Sequence, residues 1–94
     1  MVNSGSFAGF PMVKYSAHAR SRMLERSISE PEVQAAVDSP LETIQTRHGR
    51  TAVCAGSAGK YLVVVLEKSG GELIVVTTLK VDKERAKRYG FARV

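Results

Sequence analysis

Several features are scarce in this sequence, and each shortage excludes a class of protein. Its single cysteine, Cys54, excludes an internal disulfide and any Cys-x-x-Cys metal or redox motif. The longest apolar run, Tyr61 to Leu66, ends at a glutamate after six residues and is too short to cross a membrane. Residues 1–11 have neither a basic segment nor a long apolar segment, so they do not form a secretory signal. We therefore expect a cytoplasmic protein with no membrane partner.

The composition is that of a small globular domain. The chain has 94 residues, of which 44% are hydrophobic and 24% are charged. We expect residues 1–12 to be a flexible, Gly- and Ser-rich extension and residues 13–94 to form a single domain. Cys54 lies in an apolar run, which favours a buried, inert thiol over a nucleophile.

The positive charge is confined to the second half of the chain. Residues 1–48 carry five basic and five acidic side chains, whereas residues 49–94 carry nine basic and four acidic ones and hold the entire net charge of +5. This asymmetry indicates an anionic partner, either nucleic acid or an acidic protein segment. The alternative is a solvated basic tail that keeps the protein soluble.

Two helices are predicted near the N-terminus. The first spans Tyr15–Ser27, with Ser16 as its N-cap. The second spans Ser29–Asp38, because Ser29 and Glu32 have the spacing of a capping box.

From Leu41 onward the apolar residues alternate, which predicts strands. Four are expected, at Leu41–Arg47, Arg50–Ala55, Lys60–Glu67 and Glu72–Val81. The third is apolar on both faces and should be central. In the fourth, strict alternation places Leu73, Val75 and Leu79 on one face and Ile74, Val76 and Thr78 on the other.

A short basic helix, Lys83–Tyr89, is predicted after the strands, capped by Asp82 and ended by Gly90. The predicted fold class is therefore α+β. Two N-terminal helices pack on one face of a four-stranded antiparallel meander sheet, and a short basic tail or helix follows.

The first helix carries the strongest candidate site. His18, Arg22 and Arg26 are four residues apart and fall within an arc of roughly 80° on a helix. An imidazole beside two guanidiniums suits phosphodiester chemistry, with the histidine transferring protons and an arginine holding phosphate. His18 could instead be merely exposed or structural. Equally, the two arginines could pair with nearby glutamates and fasten the helical hairpin.

Further candidates lie in the second half of the chain. Thr77 and Thr78 in the fourth strand could position a substrate, or be ordinary strand residues. Tyr89 and Phe91 could stack on bases, or anchor the tail to the core. His48 and Arg47 lie beside Arg50 at a predicted hairpin tip. The candidate nucleic-acid-binding residues are Arg26, Arg50, Lys60, Lys80, Lys83, Arg85, Lys87, Arg88 and Tyr89. No cluster of metal ligands lies near His18 or Arg22, so neither a metal nor a cofactor is expected.

The motif His18-x-x-x-Arg22-Met23-x-x-Arg26-x-Ile28-Ser29, followed by Glu32-Val33, resembles a bacterial family known as domain of unknown function 4258. The resemblance extends through Gly49-Arg50 to Val75-Val76-Thr77 and covers roughly residues 14 to 80.

That family in turn resembles the RelE/ParE-type toxin fold, which implies metal-independent RNA cleavage. In that reaction a base deprotonates the 2′-hydroxyl, cations stabilise the phosphorane, and an acid protonates the leaving 5′-oxygen. The resemblance would make His18 the acid or base, Arg22 the phosphate clamp, and Thr77 or Thr78 a positioning hydroxyl. Tyr89 is a candidate substitute for the C-terminal catalytic Arg and Tyr set of RelE-type enzymes, which this sequence lacks.

The expected function is therefore that of a toxin-type RNA endonuclease from a toxin–antitoxin pair. Its partners would be RNA, which it could meet on the ribosome, and an antitoxin protein. The alternative is a non-catalytic basic module that binds nucleic acid or a protein partner.

Overall fold

The computed structural model describes residues 13–46 and 48–94. The elements in chain order are β1 (Lys14–Tyr15), α1 (Ala17–Arg26), α2 (Glu30–Asp38), β2 (Glu42–Gln45), β3 (Thr51–Ser57), β4 (Lys60–Ser69), β5 (Glu72–Val81) and α3 (Lys83–Tyr89). The predicted extension, residues 1–12, and the candidate Arg47 lie outside the described residues.

The sheet has five strands in the order β1-β5-β4-β3-β2. The prediction of a four-stranded antiparallel meander is wrong, because Lys14 and Tyr15 pair in parallel with Ile74 and Val75 and make the sheet mixed. A strand of two residues is too short to show an alternating pattern, so the sequence did not reveal it. The strand β4 is central, as its two apolar faces predicted.

The predicted caps position both N-terminal helices. Ser16 accepts a hydrogen bond from the backbone N–H of Ala19 at 3.0 Å and caps α1. Its own backbone N–H and hydroxyl donate to the carbonyls of Val75 and Val76, each at 3.0 Å, so the cap also joins α1 to β5. Ser29 and Glu32 form the predicted capping box at the start of α2. Both helices therefore begin at the serine caps that the sequence predicts, and the cap of α1 also fixes that helix to β5.

Helices cover both faces of the sheet, in contrast to the one covered face that was predicted. The α1–α2 hairpin packs on one face through a core that includes Met23, Val33 and Val64. On the other face, which we call the α3 face, Ala86 and Phe91 pack in a second core. This second core also contains the side chains of Ala52, Cys54, Val63, Val65 and Val81. Cys54 is fully buried, and its burial raises the pKa of the thiol, which agrees with an inert core residue.

A β-bulge shifts the alternation of β5. Val75 pairs with Leu66 and Thr77 pairs with Val65, so that Val76 has no partner in the β4–β5 ladder. One extra residue moves every later side chain of the strand to the opposite face. Thr78 therefore lies beneath the helical hairpin with Val75, and Leu79 lies on the α3 face. The strict alternation predicted for this strand is wrong for that reason.

A half-buried carboxylate joins α2 to two strands. Glu32 accepts hydrogen bonds from the Ser57 hydroxyl at 2.8 Å and from the Ser29 backbone N–H at 3.3 Å, and Lys80 Nζ lies 3.3 Å away. The hydrogen bond from Ser57, followed by those from Ser29 and Lys80, lowers the pKa of Glu32 below its usual value of 4.5, against an opposing effect of burial. The ionised carboxylate therefore stabilises the folded state.

This cluster predicts a loss of stability in acid. Because the pKa of Glu32 is lower in the folded chain, its contribution is complete above pH 4.5 and is lost as the pH falls through the folded-state value. We expect the free energy of unfolding, measured by urea denaturation between pH 3 and 7, to decrease less steeply in acid for Glu32→Gln than for the wild type. Ser57→Ala should give an intermediate slope. Equal slopes in the wild type and Glu32→Gln would contradict the assignment.

Thr78 predicts a stabilising substitution. Its side chain is fully buried, and its hydroxyl has no hydrogen-bond partner among the described residues. Replacing the hydroxyl with a methyl group in Thr78→Val should raise the free energy of unfolding by about 1 kcal/mol. In a domain of this size, that gain should raise the melting temperature by roughly 4–8 °C. Thr77→Val, at a half-buried position, should gain less, and a lower melting temperature for Thr78→Val would show that the hydroxyl is satisfied.

Candidate functional site

An open groove on the α3 face brings together several of the candidate residues. It has a volume of about 470 Å³ and lies at the end of the sheet near the β2–β3 turn. We call it the sheet groove. Its lining residues are Ile44, Gln45, Thr46, His48, Arg50, Val65, Thr77 and Tyr89.

The strand register explains why these residues meet. Ile44 pairs with Ala52, and Val65 pairs with Thr77, so these side chains project from the same face. His48 lies in the turn between β2 and β3, which is closed by a hydrogen bond of 2.7 Å from the Thr46 backbone N–H to the carbonyl of Arg50. The turn thus brings an imidazole and a guanidinium to the rim of the groove.

Arg50 is held from one side. Its Nε donates a hydrogen bond to Glu67 Oε1 at 3.1 Å. Thr51 pairs with Leu66, so Arg50 and Glu67 lie opposite each other one step beyond this pair. Both side chains are about half exposed, at 42% and 48%. An exposed ion pair of this kind adds little to stability, and its main consequence here is the direction it gives to the guanidinium.

Tyr89 and Phe91 lie in different environments, and only the environment of Phe91 is that of a residue that anchors the tail to the core. Phe91 is 2% exposed and lies in the core beneath α3, whereas Tyr89 is 38% exposed and lines the sheet groove. Between them, Gly90 has a φ of +121°, and a Cβ at that position would lie 3.2 Å from Ile44 Cδ1. Glycine tolerates both the conformation and the close approach. The two rings stack with their centroids 6.0 Å apart.

A carboxylate holds the chain end that follows α3. Glu42 Oε1 accepts hydrogen bonds from the backbone N–H groups of Ala92 and Arg93 at 2.8 and 2.7 Å. Because Glu42 belongs to the edge strand β2, this contact joins the C-terminal segment to the sheet. Together with Phe91, it holds in place the segment that presents Tyr89 to the groove.

The motif residues of α1 do not line the sheet groove, since α1 packs on the opposite face of the sheet. His18 is exposed, and Arg22 Nη1 lies 3.3 Å from Glu25 Oε1 in a pair along the helix. Arg26 is exposed, and no described residue pairs with it; Arg20 makes the ion pair with Glu30 instead, at 3.0 Å. The spacing along the helix was predicted, but the structure brings none of these residues to the groove.

The remaining candidates are divided between the two faces. Thr77 lines the groove, while Thr78 is buried beneath the helical hairpin. Lys80 is paired with Glu32, and Lys60 is exposed at the start of β4. The basic side chains of α3, which are all exposed, are Lys83, Arg85, Lys87 and Arg88.

Two residues, His48 in the groove and Glu67 beside it, have no role assigned by the sequence alone. His48 was noticed only as part of a hairpin tip, and Glu67 was not singled out. The signal that could have revealed Glu67 is its position opposite Arg50, but this depends on the strand register, which a single sequence leaves open.

Neither metal-ion clusters nor membrane-spanning helices occur in the part of the chain that the structure describes. Within residues 13–46 and 48–94, no group of three or more His, Cys, Asp or Glu side chains could hold a metal ion. Within the same residues, no helix is both long enough and apolar enough to cross a membrane.

Comparison with known proteins supports the resemblance deduced from the α1 motif. A family model described as "Domain of unknown function (DUF4258)" matches residues 15–84. No curated protein and no solved structure matches the chain. The further relation to RelE/ParE-type toxins stays a prediction. The matched segment covers most of the chain, from the second residue of β1 to the second residue of α3, and the protein therefore belongs to the DUF4258 family.

Proposed function

We propose that this protein binds single-stranded RNA on the α3 face and cleaves it in the sheet groove without a metal ion. The observation that carries the proposal is the set of side chains at one groove: His48, Arg50, Thr77 and Tyr89. They offer an imidazole, a guanidinium, a hydroxyl and an exposed aromatic ring, which are the groups that RNA transphosphorylation can use.

In the proposed reaction, His48 accepts the proton of a ribose 2′-hydroxyl. The 2′-oxygen attacks the adjacent phosphorus, the P–O5′ bond breaks, and the leaving 5′-oxygen takes up a proton from water, while His48 later releases the proton it accepted. The products are a 2′,3′-cyclic phosphate and a 5′-hydroxyl end. Arg50 stabilises the negative charge on the phosphorane, Thr77 orients the phosphate, and Tyr89 stacks on a base beside the scissile bond.

The charge of α3 supports RNA as the substrate. Its four exposed basic side chains lie on the element that ends at Tyr89, on the same face of the sheet as the groove. A strand that stacks on Tyr89 would have its phosphates within the positive field of this helix. If the RelE/ParE relation holds, the protein would act as a cytoplasmic toxin, with an antitoxin as its protein partner and the ribosome as a place of action.

We assign the proton transfer to His48 rather than to His18. His18 is exposed on α1, on the opposite face from Arg50, Thr77 and Tyr89. Proton transfer and phosphate stabilisation must act on the same phosphodiester, so groups on opposite faces of the sheet do not serve one reaction.

A second candidate function is that of a binding module without catalysis. The observation in its favour is that Arg50 already pairs with Glu67, so the charge of the guanidinium is compensated in the free protein. In that case RNA would bind to α3 and Tyr89 but would remain intact.

The chain has two histidines, and substituting each separately tests the assignment. The measurement is cleavage of a 5′-labelled single-stranded RNA in the presence of EDTA. We expect His48→Ala to lower the cleavage rate by about 10²–10⁴-fold, the usual contribution of general acid–base catalysis. His18→Ala is the matched variant on the other face. If only His18→Ala lowers the cleavage rate, the catalytic histidine lies on α1 and the assignment to His48 is wrong. If the wild type leaves the RNA intact, the binding module is favoured.

RNA binding is tested through its dependence on salt. Each phosphate neutralised by a lysine or arginine releases counterions, so the affinity should fall linearly on a logarithmic plot against salt, with a slope near 0.7 per contact for single strands. Substituting glutamine for Lys83, Arg85, Lys87 and Arg88 together should flatten that slope and leave the far-UV circular dichroism spectrum unchanged. An unchanged slope would show that α3 does not contact RNA.

A further inference from the structure

We propose that Glu67 is a positioning residue, which orients the guanidinium of Arg50 so that its two terminal nitrogens face the phosphate bound in the sheet groove. This inference rests on the proposed function, since it assigns a role to the contact that Arg50 makes beside the groove. Glu67 does not line the groove and is not proposed to touch the RNA.

The atom through which Arg50 is held supports this role. Glu67 Oε1 accepts from Nε, the nitrogen at the base of the planar group, at 3.1 Å. No described residue other than Glu67 makes a hydrogen bond or ion pair with this guanidinium. A hydrogen bond at Nε restricts the rotation of the guanidinium. It leaves the edge formed by Nη1 and Nη2 available to bind two phosphate oxygens at once.

The local backbone makes the contact specific. Arg50 precedes β3, and Glu67 lies within β4, one step beyond the pair formed by Thr51 and Leu66. Both residues therefore project from neighbouring strands at the same end of the sheet. About half of each side chain is exposed, so the pair keeps its terminal edge open to a ligand.

Glu67 should have two opposite effects on the reaction. Its hydrogen bond orients Arg50, which favours the transition state, whereas its negative charge repels the phosphates of RNA and weakens binding. A residue of this kind affects kcat and KM separately. A residue with only a structural role would lower the apparent kcat through a smaller folded fraction and would leave KM unchanged.

Two substitutions separate these effects. Glu67→Gln keeps an oxygen that can accept from Nε but removes the charge, so kcat should stay within about twofold of the wild type while KM falls about two- to fivefold. Glu67→Ala removes both, so kcat should fall about 10- to 100-fold while KM does not rise and the melting temperature is unchanged. Glu25→Ala is the matched control, because Glu25 pairs with Arg22 at 3.3 Å on the opposite face. It should leave both constants unchanged.

A double-mutant cycle tests whether Glu67 acts through Arg50. Arg50→Lys keeps the charge but loses the planar group, so Glu67→Ala should change kcat less than twofold in that background. An equal loss of kcat in both backgrounds would overturn the proposal. So would an unchanged kcat for Glu67→Ala in the otherwise wild-type protein.

A spectroscopic measurement separates this inference from the proposed function. The ¹⁵N-NMR signal of Arg50 Nε–H at neutral pH should be present in the wild type and Glu67→Gln, and should be lost by exchange with water in Glu67→Ala. A signal that persists in Glu67→Ala would overturn the positioning role even if RNA is cleaved. If the wild type cleaves no RNA, the proposed function is wrong and the catalytic role of Glu67 fails with it, although the signal still shows whether Glu67 holds Arg50.

Discussion

The bulge at Val76 is the constraint on which both faces of the sheet depend. It lies in β5, between β1 and the central strand, and places one extra residue against the junction of Val65 and Leu66. Because of this residue, Thr77 projects into the sheet groove, whereas Thr78 projects into the core beneath the α1–α2 hairpin. The carbonyl of Val76 also accepts the hydroxyl of Ser16, the cap of α1. One irregularity in the ladder thus attaches the helical hairpin to one face and supplies a polar side chain to the other.

The two faces use their charged residues differently. On the hairpin side, Glu32 accepts a hydrogen bond from Ser57 and lies 3.3 Å from Lys80, so its charge stabilises the contact between α2 and the strands. On the α3 face, the basic side chains of α3 are exposed and Arg50 keeps its terminal edge open. The exposed basic side chains of α3 are the reason for which the proposed function places RNA on the α3 face.

Short-range signals in the sequence predicted the secondary structure well, because each depends on a few neighbouring residues. Ser29 and Glu32 were predicted as a capping box and form one, and the predicted bounds of β5 and α3 agree with the structure. The errors concern pairing between distant segments. The strand β1 has two residues and is stabilised by β5, sixty positions away, and the bulge shifts the alternation of β5 without any change in its composition. No local pattern reports either feature.

The candidate site shows the same limit at the level of single residues. The spacing of His18, Arg22 and Arg26 predicts a common edge of α1, but spacing along a helix does not determine which face of the sheet that helix covers. The groove residues come from the edge strand β2, the β2–β3 turn, the strands β4 and β5, and the end of α3, and the strand register and Gly90 bring these segments together. The interest of His48 as a candidate catalytic residue therefore depends on Arg50 and Tyr89, which line the same groove. The buried motif residues Met23, Ile28 and Val33 pack in the core beneath the helical hairpin, and Ser29 and Glu32 cap α2. Under the proposed function this part of the motif has a structural role, and the chemistry lies on the other face of the sheet.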